Sequence, residues 1–222
     1  MTSGGILGSV RSVNVSLART VEWRGRIWRS GIFKEPVEGP VRAEGVGLVG
    51  DEQADLSVHG GARKSVYAYP AEHYPFWQER LAGPQLVVLG ALGAFGENLT
   101  TEGFLESELG IGDLLRIGSA LLRVTEPRLP CSKLGLRFQD PLMTRRFYEA
   151  RRNGIYFAIQ EAGEIQAGDG IRLEFRHPDR LTVQEVANLE TGGEVAEGTR
   201  ERAAGHPALS ESWRERFRST GS

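Results

Sequence analysis

From Ile6 to about Arg176 the chain is a succession of short apolar runs cut by glycines. Residues 6–17 and 21–28 alternate imperfectly between apolar and polar positions, the period of two that half-buried strands show. Residues 65–69 form a third β-like run that stops at Pro70, and residues 71–81 then predict a short helix with Tyr74, Trp77 and Leu81 on one side. Residues 114–117 and 121–125 flank Gly118-Ser119, which suits a tight hairpin turn. The run Gly112-Asp113-Leu114-Leu115-Arg116-Ile117 is echoed by Gly168-Asp169-Gly170-Ile171-Arg172-Leu173, so both predict a strand that starts after a glycine turn. A helical patch is expected over residues 141–152 and a strand over 155–160. The βαβ rhythm of a doubly wound parallel sheet is absent.

The pattern changes near His177-Pro178-Asp179. Residues 182–189 predict a helix capped by Thr182, with Glu185 completing a capping box. Gly192-Gly193 interrupts, and residues 194–204 and 210–217 predict two further helices, the last started by Ser210. The expected organisation is a β-rich domain over residues 1–177 and a three-helix domain over residues 178–222. So small a tail buries little core alone, so it is expected to pack on the β domain or on another subunit, leaving monomer and homodimer both open.

Composition narrows the class. At 222 residues, 40% hydrophobic and 25% charged, the chain has the make-up of an ordinary globular protein. No stretch approaches the roughly 18 apolar residues of a membrane span, and the N-terminus lacks the basic start and apolar core of a signal peptide. Asn98-Leu99-Thr100 is formally a glycosylation sequon, without meaning unless the chain is secreted. The single cysteine excludes an internal disulfide and fits a reducing cytoplasm. A net charge of −2 argues against nucleic acid as a partner. The 29 glycines suit a fold with many tight turns, such as a barrel.

Gly45-Val46-Gly47-Leu48-Val49-Gly50 matches the dinucleotide fingerprint, but no helix is expected after it to receive a pyrophosphate. The following segment is more informative. Asp51, Gln53 and Asp55 lead to His59-Gly60-Gly61-Ala62-Arg63-Lys64, where adjacent glycines let backbone N–H groups converge on an anion beside two cations. A solvated turn with flanking charges would look the same. Residues 93–103 form a second glycine-studded loop whose Asn98, Thr100 and Thr101 suit a polar heterocycle or simply cap a turn.

The most specific run is Glu126-Pro127-Arg128-Leu129-Pro130-Cys131-Ser132-Lys133-Leu134. Its prolines stiffen the backbone, and Cys131 falls at the expected start of a short helix beside Arg128 and Lys133, a setting that favours thiolate. Such a thiolate would act as a nucleophile, with His59 or His73 as base, or as a soft metal ligand. One cysteine and four scattered histidines do not make a structural zinc site, and His177 and His206 are expected at the surface. A metal already chelated by a cofactor needs only one protein ligand, which this chain supplies.

These segments, in order, resemble the MOSC family, named for the C-terminal domain of molybdenum cofactor sulfurase, and most closely its free-standing bacterial YiiM-like branch. The resemblance is carried by Gly50-Asp51-Glu52-Gln53-Ala54-Asp55, Val58-His59-Gly60-Gly61, Tyr69-Pro70-x-Glu72-His73-Tyr74, Phe95-Gly96-Glu97-Asn98-Leu99, Gly112-Asp113, Pro127-Arg128-x-Pro130-Cys131-x-Lys133-Leu134 and Thr182-Val183-Gln184-Glu185. It implies a mostly β, α+β fold: a MOSC-type β-barrel with peripheral helices and a small C-terminal three-helix domain. It also implies a cleft holding the pterin–molybdenum cofactor, with Cys131 as ligand to molybdenum. The activity it implies is reduction of N-hydroxylated compounds such as hydroxylaminopurine bases; the alternative is a carrier of cofactor or persulfide sulfur. Pyridoxal phosphate belongs to a separate sulfurase domain and is not carried over.

On that reading Lys64, Arg128, Lys133 and the Gly60-Gly61 turn bind the cofactor phosphate. Asn98 and Thr100 orient pterin or substrate, and His59 delivers a proton. Asp51, Gln53 and Asp55 line the cleft, although a turn-capping role suits Asp51 equally. The chain has no haem, iron–sulfur or flavin motif, so an external electron-donor reductase is implied. Residues 128–152, with seven Lys/Arg against Asp140 and Glu149, are the expected docking face for it or merely a solvated surface.

Overall fold

The computed structural model of the chain describes residues 5–54 and 61–219. Long β1 (Ile6–Val15) is followed by the hairpin β2 (Arg19–Trp23) and β3 (Arg26–Ser30), then by β4 (Glu35–Val37), β5 (Val41–Glu44) and β6 (Gly47–Leu48). Strand β7 (Val66–Pro70) leads through α1 (Tyr74–Gln78) and α2 (Pro84–Leu89) to β8 (Leu99–Glu102). The hairpin β9 (Leu114–Ile117) and β10 (Ala120–Pro127) precedes α3 (Lys133–Phe138) and α4 (Met143–Ala150). Strands β11 (Ile155–Glu161), β12 (Gly163–Ile165) and β13 (Gly170–Phe175) complete the β part. Helices α5 (Val183–Thr191), α6 (Thr199–Gly205) and α7 (Glu211–Ser219) end the chain.

Among the described residues seven strands close into a barrel in the order β13-β9-β10-β11-β7-β8-β1, with β1 returning to β13 and β4 added outside on β1. The closing ladder pairs Ile6 with Arg172 and Gly8 with Ile171. The β7–β8 pair is the one parallel neighbour in this circuit, and α1 and α2 lie on the crossover that a parallel pair requires. The two Gly-Asp turns do precede neighbouring strands, β9 and β13, and Gly112 and Gly168 both stand at φ +91°, a left-handed conformation that favours glycine.

Side chains alternate across β7. Val66 and Ala68 belong to the barrel core with Leu99, Leu115, Leu122, Val124 and Phe157, while Tyr67 and Tyr69 face a second, aromatic cluster outside the barrel. There Trp77 stacks on Phe147 at 5.9 Å and donates from Nε1 to the Tyr69 hydroxyl at 2.8 Å. This cluster clamps the crossover, α3 and α4 to the barrel wall, and so fixes the loop between β10 and α3.

Several expectations are corrected. Residues 21–28 are not one strand: Arg24 and Gly25, at φ 53° and 69°, turn the chain into the β2–β3 hairpin. Within residues 71–81 only a 3₁₀ turn and the short α1 are helical, although Tyr74, Trp77 and Leu81 are buried together as the pattern requires. Helix α6 begins at Thr199 rather than residue 194, because Gly198 adopts a left-handed conformation just before it. The capping box of α5 is present: Glu185 N–H donates to Thr182 Oγ1 at 3.1 Å, and Thr182 N–H donates to Glu185 Oε2 at 2.7 Å.

The three helices pack on the barrel, with Val183, Val186, Ala203, Leu209, Trp213 and Phe217 joining the barrel's own core cluster. That packing overturns the surface placement of His206, which is completely buried and lies against half-buried His177, the ring centroids 4.8 Å apart and the planes tilted by 43°. No helix among the described residues is long and apolar enough to cross a membrane.

Candidate functional site

At one mouth of the barrel the loop after β10 meets the segment that follows β6. Pro127 and Pro130 restrict this loop, and four hydrogen bonds fix it. Asn153 Nδ2 donates to the Arg128 carbonyl at 2.8 Å, and Arg128 Nη1 donates to the Phe95 carbonyl at 2.7 Å. Thr144 Oγ1 and Leu134 N–H both donate to the Cys131 carbonyl, at 3.1 and 3.0 Å. Cys131 therefore sits just ahead of α3, half-buried and free. Its thiol belongs to the lining of a cavity of about 100 Å³ that also takes in Lys34, Asp51, Gln53, Lys64, Asn98, Arg128, Lys133 and Tyr156. A second, larger cleft of about 490 Å³ shares Lys64, Leu129 and Tyr156 with this cavity and runs between the barrel and α7.

The expected site residues thus largely converge, in different capacities. Arg128 is buried against the Tyr67 ring, 4.7 Å from its centroid. Burial opposes its charge, but Tyr67, Tyr156 and the Cys131 thiol around it hold its pKa above the usual guanidinium value. Lys133 lines the same cavity half-buried, with no hydrogen bond or ion pair to any described residue. Tyr156 has its pKa pushed up to about 12 by burial, against the pull of Arg128.

Asp51 both lines the cavity and ties its floor together. Its Oδ1 accepts from Ser16 N–H at 2.9 Å and from Lys34 Nζ, and its Oδ2 accepts from Asn98 Nδ2 at 2.9 Å. Lys34, which no local sequence pattern singles out, is buried, and its pKa is lowered by burial although Asp51 works in the opposite direction. Asn98 spends its amide on the protein: Oδ1 accepts from Tyr67 N–H at 3.1 Å, and Nδ2 also reaches the Asn14 carbonyl at 3.4 Å. Gln53 does likewise, donating to the carbonyls of Val46 and Lys64 at 3.1 and 3.0 Å and accepting from Gly61 N–H at 3.3 Å. Asn98 and Gln53 therefore shape the wall and hold the Gly61–Lys64 turn.

Thr100 lies beneath the wall rather than on it. It is fully buried and bonded to Ser12, Asn14 and Glu97. Glu97 itself is buried with a raised pKa, because burial outweighs the donors of Tyr74, Thr100 and the Gly93 backbone. His73 does not join the lining of the thiol cavity and has both ring nitrogens engaged elsewhere: Nε2 lies 2.9 Å from Glu106 Oε2, and Nδ1 faces Arg152 Nη1 at 2.9 Å. Asp55, His59 and Gly60 lie outside the described residues. Gly45–Gly50 makes a turn and β6, with no helix over residues 51–54. The basic run 128–152 is not one face, since Arg128 is buried, Arg145 is exposed and paired with Glu149, and Arg146 is half-buried and paired with Asp140.

Sequence reasoning missed the far wall of the larger cleft. Ser210, Ser212, Trp213 and Arg216 come from the C-terminal helices, more than fifty residues beyond the cysteine, and face Arg63, Lys64 and Glu126. Arg63 binds the two parts together, its Nη2 donating to the Ala208 carbonyl at 2.7 Å.

Comparisons with known proteins agree with this architecture. Residues 55–172 match the family model described as the MOSC domain. The chain is 37% identical over 209 residues to the uncharacterized protein YflK of Bacillus subtilis (strain 168), covering 94% of this chain and 92% of that one. It is 39% identical over 161 residues to a protein named Reductase from Gibberella moniliformis, covering 72% of this chain but only 28% of the longer fungal protein. The crystal structure of YiiM from Geobacillus stearothermophilus superposes with a TM-score of 0.76 at 30% identity, over 97% of this chain and all of that one (100%).

Proposed function

This chain belongs to the MOSC domain family, and on that premise we propose that it is a molybdenum-cofactor-dependent oxidoreductase that reduces N-hydroxylated compounds such as hydroxylaminopurine bases. The observation that carries the reading is the cavity at Cys131, whose lining brings together a soft sulfur donor, buried Arg128 and the cation of Lys133, which has no partner among the described residues. A thiolate is the ligand type that soft metal centres take, and cations suit a cofactor phosphate. The thiol cavity alone is small, but its continuation into the cleft of about 490 Å³ gives the room that bound cofactors and substrates occupy, about 300–1,000 Å³.

Cys131 would hold the metal, with Lys133, Lys64, Arg128 and the Gly60-Gly61 turn on the phosphate. Asp51, Gln53 and Asn98 would act behind them by fixing the loops. When bound, the cofactor supplies two-electron redox chemistry. The reaction balances as R–NH–OH with two electrons and two protons giving R–NH₂ and water. His59 is the proposed proton donor, its ordinary pKa lying near neutrality. The electrons come from an external reductase, and the name of the fungal relative supports the oxidoreductase class. The proposed place of work is the reducing cytoplasm, where a lone thiol stays free.

Expression in cofactor-competent cells tests this reading. Molybdenum and pterin should co-purify with the protein, and a chemical or enzymatic reductant should convert an N-hydroxylated base to its amine. Cys131→Ser should lose the metal. Equal molybdenum in both proteins would remove Cys131 from its role. Retained cofactor without amine product under any donor would make the protein a carrier of cofactor or persulfide instead.

A further inference from the structure

The larger cleft contains a buried carboxylate that the proposed chemistry leaves unused. Glu126 is 5% exposed and lines the cleft, yet its carboxylate accepts no hydrogen bond from any described residue. Its polar neighbours are two cations beyond good bonding geometry, Lys64 Nζ at 3.5 Å and Arg63 Nε at 3.9 Å. Its oxygens are not sealed inside the protein but open on the cleft, where a ligand can reach them. The backbone directs this side chain. Val124 pairs with Phe157 and Glu126 with Tyr156, so Thr125 is an extra residue, and this bulge, of the kind that re-aims side chains beside sites, is anchored by Thr125 Oγ1 donating to the Arg63 and Tyr156 carbonyls.

The chemistry of the missing partner follows from what surrounds it. Arg63 and Lys64 already offset the negative charge, and they would repel a metal cation placed against the same oxygens. What the lone pairs lack is a neutral N–H donor. Beside these charged groups the cleft carries the rings and apolar side chains of Tyr156 and Leu129 on the barrel and Trp213 across from them on α7. We propose that Glu126 recognises the amino edge of a fused nitrogen heterocycle lying in the cleft between barrel and α7. Two sources share this chemistry: the 2-amino and ring N–H edge of the cofactor's pterin, and the amino group of a purine-type base. The inference rests on the proposed function for its ligands, and goes beyond it in assigning Glu126 and the α7 wall to heterocycle selection.

The test uses holoprotein with two readouts. One is the rate at which pterin fluorescence is released on dilution into mild denaturant. The other is the affinity for 2-aminopurine relative to purine, which differ by one amino group. A hydrogen bond to a charged acceptor makes an effect of about ten-fold or more the expected size. Glu126→Gln releasing pterin that much faster identifies the cofactor as the ligand. Unchanged release with a ten-fold weaker 2-aminopurine and unaltered purine identifies the base. The proposal is overturned if neither readout moves in a variant that melts like the wild type, or if both purines weaken equally at unchanged release. Should Glu126→Gln fail to fold, Glu126→Asp keeps the charge, withdraws the carboxylate, and is read in the same way. A wild-type protein without pterin would sink the cofactor reading, while its discrimination between the two purines, and the loss of that discrimination in the variant, would still decide the role of Glu126.

Discussion

Arg63 donates to the carbonyl oxygen of Ala208 across 145 residues of sequence, and this 2.7 Å bond joins the Gly61–Lys64 turn of the barrel to the C-terminal helices. Arg63→Ala removes it, together with the weaker contact to the Thr125 carbonyl at 3.5 Å. A hydrogen bond from a charged donor is worth about 1.5–3 kcal/mol when buried, and Arg63 is half-buried, so about 1–2 kcal/mol of stability is expected to go. Chemical unfolding measures the loss, and hydrogen exchange should show it first in α6 and α7. Uniform loss of protection across the barrel would contradict a local seam.

Lys133 gives the opposite expectation. A side chain without a partner among the described residues contributes little to folding, so Lys133→Ala should change stability by no more than about 0.5 kcal/mol. Retention of the phosphorylated cofactor should nevertheless fall several-fold, measured as pterin per protein after gel filtration. A large melting shift with full retention would make the residue structural.

Asp51 and Lys34 form a buried pair, and Asp51→Asn leaves the ammonium without its counter-charge. Breaking such a pair costs about 3–5 kcal/mol. Burial lowers the Lys34 pKa from its ordinary 10.5 and Asp51 pulls it back up, so removing Asp51 lowers it further. Between the folded pKa and 10.5 the unfolded chain binds more protons, so stability rises with pH in that window. The window is wider in the variant. Its deficit relative to wild type should therefore shrink as pH is raised towards 10.5, and urea titrations across that range check it. A constant deficit would refute the assignment to Lys34.

His206 sets an acid limit on the C-terminal helices. Its Nε2 donates to the Asp179 carbonyl at 2.9 Å and its Nδ1 accepts from Ala208 N–H at 3.3 Å, a neutral ring. Burial lowers its pKa below the ordinary 6.5, aided by nearby His177 and Arg202 and opposed by Asp179. The unfolded chain thus takes up a proton first as pH falls, so this contribution to stability is complete above about 6.5 and declines below it. His206→Gln should be less stable at neutral pH but show a flatter acid slope, read from melting temperatures between neutral pH and pH 5. An unchanged slope would place the titration elsewhere.

What the sequence discloses depends on how local the cause is. The hairpin at Gly118-Ser119, the echoed Gly-Asp turns and the Thr182–Glu185 capping box are each decided within a few residues, and each is present. The cysteine loop was legible for the same reason, because prolines, cations and thiol lie within one short run. Lys34 was not, since its meaning comes from Asp51 seventeen residues on. Asn98 and Gln53 carry amides suited to a ligand, and only the fold reveals that backbone groups already occupy them. His206 stands between Gly205 and Pro207, which reads as an exposed turn, yet the helices on either side fold it against the barrel. Glu126 lay in view inside the informative run, and nothing nearby indicated the bulge that aims it.

The barrel is sealed by pairing its first strand with its last, Ile6 against Arg172. On the ribosome this means that β1 waits, with one edge unsatisfied, until the chain through Phe175 has emerged. The far wall of the cleft arrives later still with α7. Loading of any ligand there consequently waits until α7 has been made, and a nascent chain stalled before β13 presents chaperones with an open sheet.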